Sequence, residues 1–255
     1  MQGLETQKYH PSFALQTFID TYWSLQNSSS KSILIPIVPD GCMDLVYQKR
    51  QWMLVGAMSE SKSITIEVGD YSFGIRFRPS VLPQLLNIEA HTFINRVVPL
   101  AEVSPSLRNQ LDRYGANEAQ KVILLDALFE SLCKTTVFHQ PILNLVDHIT
   151  LYQGVRTMRD LEHFTQLGSR QIERLFKHYI GYTPKKFCTI LRFFTVFKEV
   201  IKNDISNFSA IAYEFGYCDQ SHFNKEFKKF SQFFPTHEIM SVFYKTKASL
   251  HPTIR

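Results

Sequence analysis

Gln220, Ser221, His222, Lys225, Lys228 and Lys229 form one side of a short helical stretch, QSHFNKEFKKF, and every one of these side chains can donate a hydrogen bond. The opposite side carries Phe223, Phe227 and Phe230, spaced four and three residues apart. An apolar side holds such a helix down while the donor-rich side faces outward, an arrangement suited to the acceptor-rich major groove of duplex DNA. Upstream, Arg170, Gln171, Arg174 and Lys177 repeat the pattern, with Ile172, Leu175 and Phe176 turned inward. Arg matches guanine acceptors in a bidentate manner, so Arg170 and Arg174 are candidates for base contact, with Gln171 in support. In the second stretch the base-contact candidates are Gln220, Ser221, His222 and Lys225. Lys177, Lys185, Lys186, Lys228 and Lys229 are assigned to phosphates, which set register without reading sequence.

Each stretch is preceded by a short helix and a hinge. Ile211, Ala212 and Phe215 make the first-helix seam of the second unit, which begins at Ile205, and Gly216 supplies its reversal. Asp219 is placed to cap the following helix. In the first unit Leu161 and Phe164 make the seam, Leu167-Gly168 the hinge, and Ser169 or Gly168 the cap. Pro184 then opens a long connector, Lys185 to Lys202, with Phe187, Ile190, Leu191, Phe194 and Phe197 as its inner stripe. Two helix-turn-helix units on one rigid helix predict a paired reader of DNA, with both outward faces on one side of the duplex about one turn apart. An ordinary solvated basic face is the alternative for either unit taken alone.

The charge agrees. Residues 1–155 hold 12 Lys and Arg against 14 Asp and Glu, whereas residues 156–255 hold 16 against 9, so the +5 net charge resides in the C-terminal half. That imbalance favours a polyanion as partner.

The segments RQIERLFKHYIGYTPKKFCTILRF and IAYEFGYCDQSHFNKEFKKF, followed by Pro235, resemble the C-terminal DNA-binding domain of the AraC/XylS transcription regulators. The likeness runs over about a hundred residues and rests on R-L-F, G-x-T-P-K, L-R-F, I-A-x-E-x-G-Y and S-H-F-x-K-x-F. Three positions depart from the pattern: Glu162 stands for the usual Ala, Gly168 for the capping Ser, and Gln232 for the Gly three residues before the last Pro. The resemblance implies a transcription regulator without enzymatic activity, with double-stranded DNA and RNA polymerase as partners.

Upstream, ILIPIVPDGCMDLVYQ, WMLVGAMSE, SITIEV and YSFGIRFRP are short β-rich runs separated by Pro-Asp-Gly, Gly56 and Gly69-Asp70, predicting an antiparallel sandwich or small barrel. Ser12 to Trp23 reads as a short helix leading into a strand. The P-D-G-C-x-D-L run, WMLVGAMSE and YSFGIRFRPSVLPQLLN resemble the cupin-like sensor domain that precedes some AraC-type readers, with Ser80-Val81 where a Gly-rich turn is usual. This implies a regulatory domain sensing a small-molecule effector. The expected fold class is therefore α+β: a cupin-like domain over residues 1–138 that ends in helices, then an all-α domain over 139–250.

Ala116 to Cys133 predicts an amphipathic helix with Val122, Leu125, Leu128, Phe129 and Leu132 as its stripe. Packing within its domain is the first reading and a homodimer seam the second. Arg76 and Arg78 alternate with Ile75 and Phe77 and share a face, as an ion-paired surface or as a seat for a ligand anion. Asp40-Gly41 reads as a turn.

Other classes find little support. No Ser/His/Asp order, phosphate loop or metal spacing appears, so no catalytic residue, metal or cofactor is expected. His10 and His91 merely flank the strand region and lack the close spacing of metal-binding cupins. A cupin-type enzyme with a helical targeting domain and a basic protein-binding adaptor are the remaining alternatives. Cys42, Cys133, Cys188 and Cys218 lie far apart, without a paired spacing, which fits a reducing cytoplasm. Neither a signal peptide nor a membrane span is expected, because no apolar run approaches the required length.

Overall fold

The computed structural model describes residues 3–113, 118–202 and 208–235. Ala116 of the amphipathic segment, Ile205 at the start of the second unit, and the expected boundary at 250 lie outside them.

The N-terminal half is an antiparallel β-domain. Its larger sheet contains β1 (Leu4–Tyr9), β2 (Ile19–Asn27), β4 (Met43–Gln48), β5 (Gln51–Val55), β7 (Tyr71–Phe77) and β8 (Val97–Pro99), in the order β1-β2-β7-β4-β5-β8. A smaller sheet pairs β3 (Ile33–Ile37) with β6 (Lys62–Ile66). The short helix leading into a strand expected over Ser12 to Trp23 is present: Phe13–Leu15 forms a 3-10 helix, and Ile19 onward is strand. Pairing decides this, because β2 bonds β1 on one edge and β7 on the other.

Helices α1 (Val81–Leu86), α2 (Leu100–Val103), α3 (Pro105–Leu111) and α4 (Glu118–Thr135) complete this half. The stripe of α4 turns inward, with Leu125 and Phe129 fully buried and the Phe129 ring edge-on to Phe77 at 5.3 Å. Tyr22 Oη donates to Asp126 at 2.7 Å, which ties α4 to β2. Packing within the domain is thus the role this face performs.

The C-terminal half holds α5 (Gln140–Leu151), α6 (Met158–Thr165), α7 (Ser169–Tyr179), α8 (Pro184–Lys202), α9 (Phe208–Glu214) and α10 (Gln220–Ser231). One hydrophobic core runs without a break from the large sheet into these helices. The organising piece is α8, whose Phe187, Ile190, Phe193 and Phe197 are fully buried. Phe187 lies against Gly41 of the sheet domain; a Cβ there would stand 2.8 Å from the ring, and Gly41 has φ +83°. Glycine is what this turn needs, for both its backbone angle and the close approach.

Candidate nucleic-acid interface

In the first unit, Leu161 of α6 and Ile172 and Phe176 of α7 are buried, with Leu175 half-buried. Phe164 departs from the expected seam: it is 44% exposed and its ring stacks on His148 at 4.0 Å. Gly168 is the residue preceding α7, and its amide donates to Gln171 Oε1 at 3.2 Å. The next amide, Ser169 N–H, donates to Glu162 Oε1 at 2.8 Å. A helix start leaves its first amides without partners. Glu162 and Gln171 supply oxygens in place of a capping Ser. The side chains of Arg170, Gln171, Arg174 and Lys177 are exposed, and Arg170, Arg174 and Lys177 make no ion pair among the described residues.

The second unit follows the same logic. Asp219 caps α10, accepting from His222 N–H at 2.7 Å. Gly216 takes φ +70° at the reversal, where an added Cβ would stand 3.2 Å from Val155. Phe223, Phe227 and Phe230 are buried, and Phe193 of α8 sits 5.5 Å from Phe227 and 5.1 Å from Phe230 by ring centroid. Gln220, Ser221, Lys225, Lys228 and Lys229 are exposed. Gln220 Oε1 accepts from Ser209 Oγ at 2.6 Å, which leaves its amide nitrogen for an outside acceptor. His222 is half-buried, edge-on to Tyr217 at 5.4 Å, with Nε2 4.0 Å from Glu226.

Two side chains differ from the sequence reading. Lys185 is exposed, but Lys186 turns away from the outward face. Its Nζ donates to Ser59 O of the sheet domain at 3.2 Å and lies 4.5 Å over the Phe230 ring. Burial, and then Lys229 nearby, lowers its amine pKa. A phosphate contact from Lys186 is incompatible with this position. Arg76, in turn, is no surface residue: it is buried between Asp40 at 2.8 Å and Asp44 at 2.9 Å. Arg78 shares its direction and pairs with Asp147 of α5, across the two halves.

Sequence reasoning missed the contact that sets α10 on α8. Arg192 grips Glu226 with Nη2 at 2.9 and 3.0 Å and Nε at 3.3 Å, while its guanidinium lies 4.4 Å over the Tyr217 ring. The arginine of the L-R-F run was visible, but its partner stands 34 residues away. Gln232 also gains a reason. It ends α10 with φ +66°, and its Nε2 donates to Ser61 O of the sheet domain at 3.0 Å. A left-handed angle costs a non-glycine residue roughly 1–2 kcal/mol, which one hydrogen bond offsets in part.

Residues 162–238 match a family described as a helix-turn-helix domain, and residues 7–99 match one described as a domain of unknown function. No curated protein matches the chain by sequence. Among solved structures it is similar to ToxT from Vibrio cholerae, with 12% identity, 94% of this chain and 99% of that chain covered, and a TM-score of 0.44. ToxT with a bound unsaturated fatty acid gives 12% identity, coverage of 98% and 95%, and a TM-score of 0.41. Likeness at this level carries no argument about what the chain binds. No helix among the described residues is long and apolar enough to cross a membrane.

Proposed function

We infer that this DNA-binding transcription regulator, whose C-terminal half is an AraC-type helix-turn-helix domain, reads two adjacent major-groove segments with α7 and α10. One observation carries the reading. Two outward faces, one with Arg170, Arg174 and Lys177, which make no ion pair among the described residues, and the other with exposed Lys225, Lys228 and Lys229, are mounted on a single buried helix. A helix of 19 residues is about 28 Å long, close to one turn of duplex. Arg170, Gln171 and Arg174 then contact base edges from α7, and Gln220, Ser221, His222 and Lys225 do so from α10. Lys177, Lys185, Lys228 and Lys229 hold phosphates.

The β-domain modulates this reading through its contacts with α8 and the end of α10, and a small-molecule effector is its natural input. Ile123 and Leu124 stay exposed on α4 and provide the contact for a homodimer. RNA polymerase is the further partner of a regulator bound at a promoter in the cytoplasm, and no catalytic step is assigned to the chain.

The test is duplex binding by the full chain, with sites selected from random sequence and titrated at several salt concentrations. Selected sites should contain two conserved segments about one turn apart, and affinity should fall steeply with salt. Selection of one segment only, or no duplex binding at low salt, overturns the reading.

A further inference from the structure

Between the halves lies a cleft made of two adjoining cavities, of about 740 and 750 Å³. Arg78, Thr150, Leu191 and Phe194 line both, so these residues form the wall between them. Each volume is in the range of sites that enclose a small organic ligand.

The charges in this cleft are unevenly settled. Arg76 is committed to Asp40 and Asp44, and Arg78 to Asp147. Two groups remain. Asp20 lines the first cavity from the start of β2, and Lys198 lines the second from α8. Neither makes an ion pair or a hydrogen bond among the described residues, although the Lys198 amine lies 4.9 Å over the Phe194 ring. Both are short of water. Burial pushes the Asp20 carboxyl above its usual range, with Arg76 opposing, and pushes the Lys198 amine down, with Asp20 the largest opposing influence. A desolvated charge without a partner costs stability. Such groups are kept where a ligand completes them.

We propose that this cleft binds a zwitterionic, apolar-bodied effector of the length of a short peptide, its ammonium on Asp20, its carboxylate on Lys198 and its apolar body along Leu191 and Phe194. The proposal deepens the reading of the β-domain as the regulatory input and depends on it. A single amino acid would leave most of both cavities unfilled, whereas a few apolar residues with free ends supply both charges and the bulk. The occupant bridges the halves, since Asp20 belongs to the sheet domain and Lys198 to the helix that carries α10.

The experiment is calorimetric titration of the full chain with trileucine, without DNA, so that its outcome is independent of whether α7 and α10 read a duplex. Acetyl-trileucine lacks the ammonium and trileucine amide lacks the carboxylate. Trileucine should bind, and each blocked form should bind at least about tenfold more weakly, the loss of one charge-assisted hydrogen bond. Asp20→Asn should erase the difference between free and acetylated peptide only, and Lys198→Met the difference between free and amidated peptide only. Thermal melting serves as the folding control, and Asp20→Asn should raise Tm because it removes a desolvated, unpaired carboxylate. Absence of trileucine binding, or equal affinity of the three forms, overturns the proposal. So does tighter binding of decanoate that is indifferent to Asp20→Asn, because one anionic end would then suffice. A fall in Tm in both variants without ligand binding also overturns it, showing that Asp20 and Lys198 hold each other in a closed cleft.

Discussion

Removing Glu226 tests whether the angle of the second recognition helix is set electrostatically. In the protein its carboxylate takes three contacts from Arg192, and the two side chains are only 10% and 17% exposed. Glu226→Ala leaves the guanidinium without its counter-charge beneath α10. Breaking a buried pair from one side costs about 3–5 kcal/mol. Arg192 keeps some contact with water and its place over Tyr217, so the low end, about 3 kcal/mol, is the expected loss. Arg192→Met costs less because it leaves an acid that His222, 4.0 Å away, can partly satisfy. Arg192→Met/Glu226→Met together should come close to the parent, since well-packed apolar groups replace buried pairs at little cost. Urea melts of the parent, Arg192→Met, Glu226→Met and the double variant close the cycle, with Glu226→Ala melted beside them. A second titration compares a duplex with both segments against one with the first alone. Glu226→Ala should lose the affinity the second segment adds and keep that of the first. A coupling energy below about 0.5 kcal/mol, the level expected of independent sites, together with an unchanged second-segment contribution, refutes the argument.

Arg174→Ala and Lys225→Ala each remove a candidate base contact and should cost about 1–3 kcal/mol on the selected site, with preference relaxed at one position, measured by titration against single-base variants. Lys229→Ala, a phosphate contact, should weaken all duplexes alike and reduce the salt slope by about 0.9. Lys186→Ala should leave that slope unchanged, because its amine is bonded to Ser59 O, and the salt series distinguishes the two lysines. Asp160 completes the capping box of α6 with the N-cap Thr157, whose amide and then hydroxyl hold the carboxyl below its usual range. With the folded pKa below the unfolded one, its contribution is present above about pH 4 and is lost as pH falls through the folded value. Circular dichroism from pH 5 to 2 should show an acid step that Asp160→Asn lacks.

Where the sequence was legible, one element decided its own burial. Phe223, Phe227 and Phe230 recur at four and three residues, and that spacing alone puts them on the buried side of α10. The Asp219 cap and the Gly216 reversal were legible for the same reason, since their causes are local. Phe164 was misread because α6 has only eight residues, and too few turns fix which edge of a seam faces inward. Ser12 to Trp23 was legible as a short helix leading into a strand, although the helix is only the three residues Phe13–Leu15. Lys186 and Arg192 look alike in sequence, as basic residues on the connector. Their roles diverge through partners 127 and 34 residues away. Arg76 and Arg78 do share a face, as their alternation implied, but their acids come from other elements.

The two faces of α8 give the molecule a route from sensing to reading. Leu191, Phe194 and Lys198 line the cleft, while Arg192, Phe193 and Phe197 hold α10 through Glu226, Phe227 and Phe230. The residues alternate along the same two turns of helix, so a small rotation of α8 that favours a ligand on one face displaces the anchors on the other. Packed interiors respond to such a rotation by repacking rather than by deforming smoothly. The sheet domain restrains the same helix at its start, through Phe187 on Gly41 and Lys186 on Ser59, and the end of α10 through Gln232 on Ser61. Any occupant of the cleft therefore acts against fixed points at both ends. Its effect on DNA should fall on the second segment, read by α10, before it reaches the first.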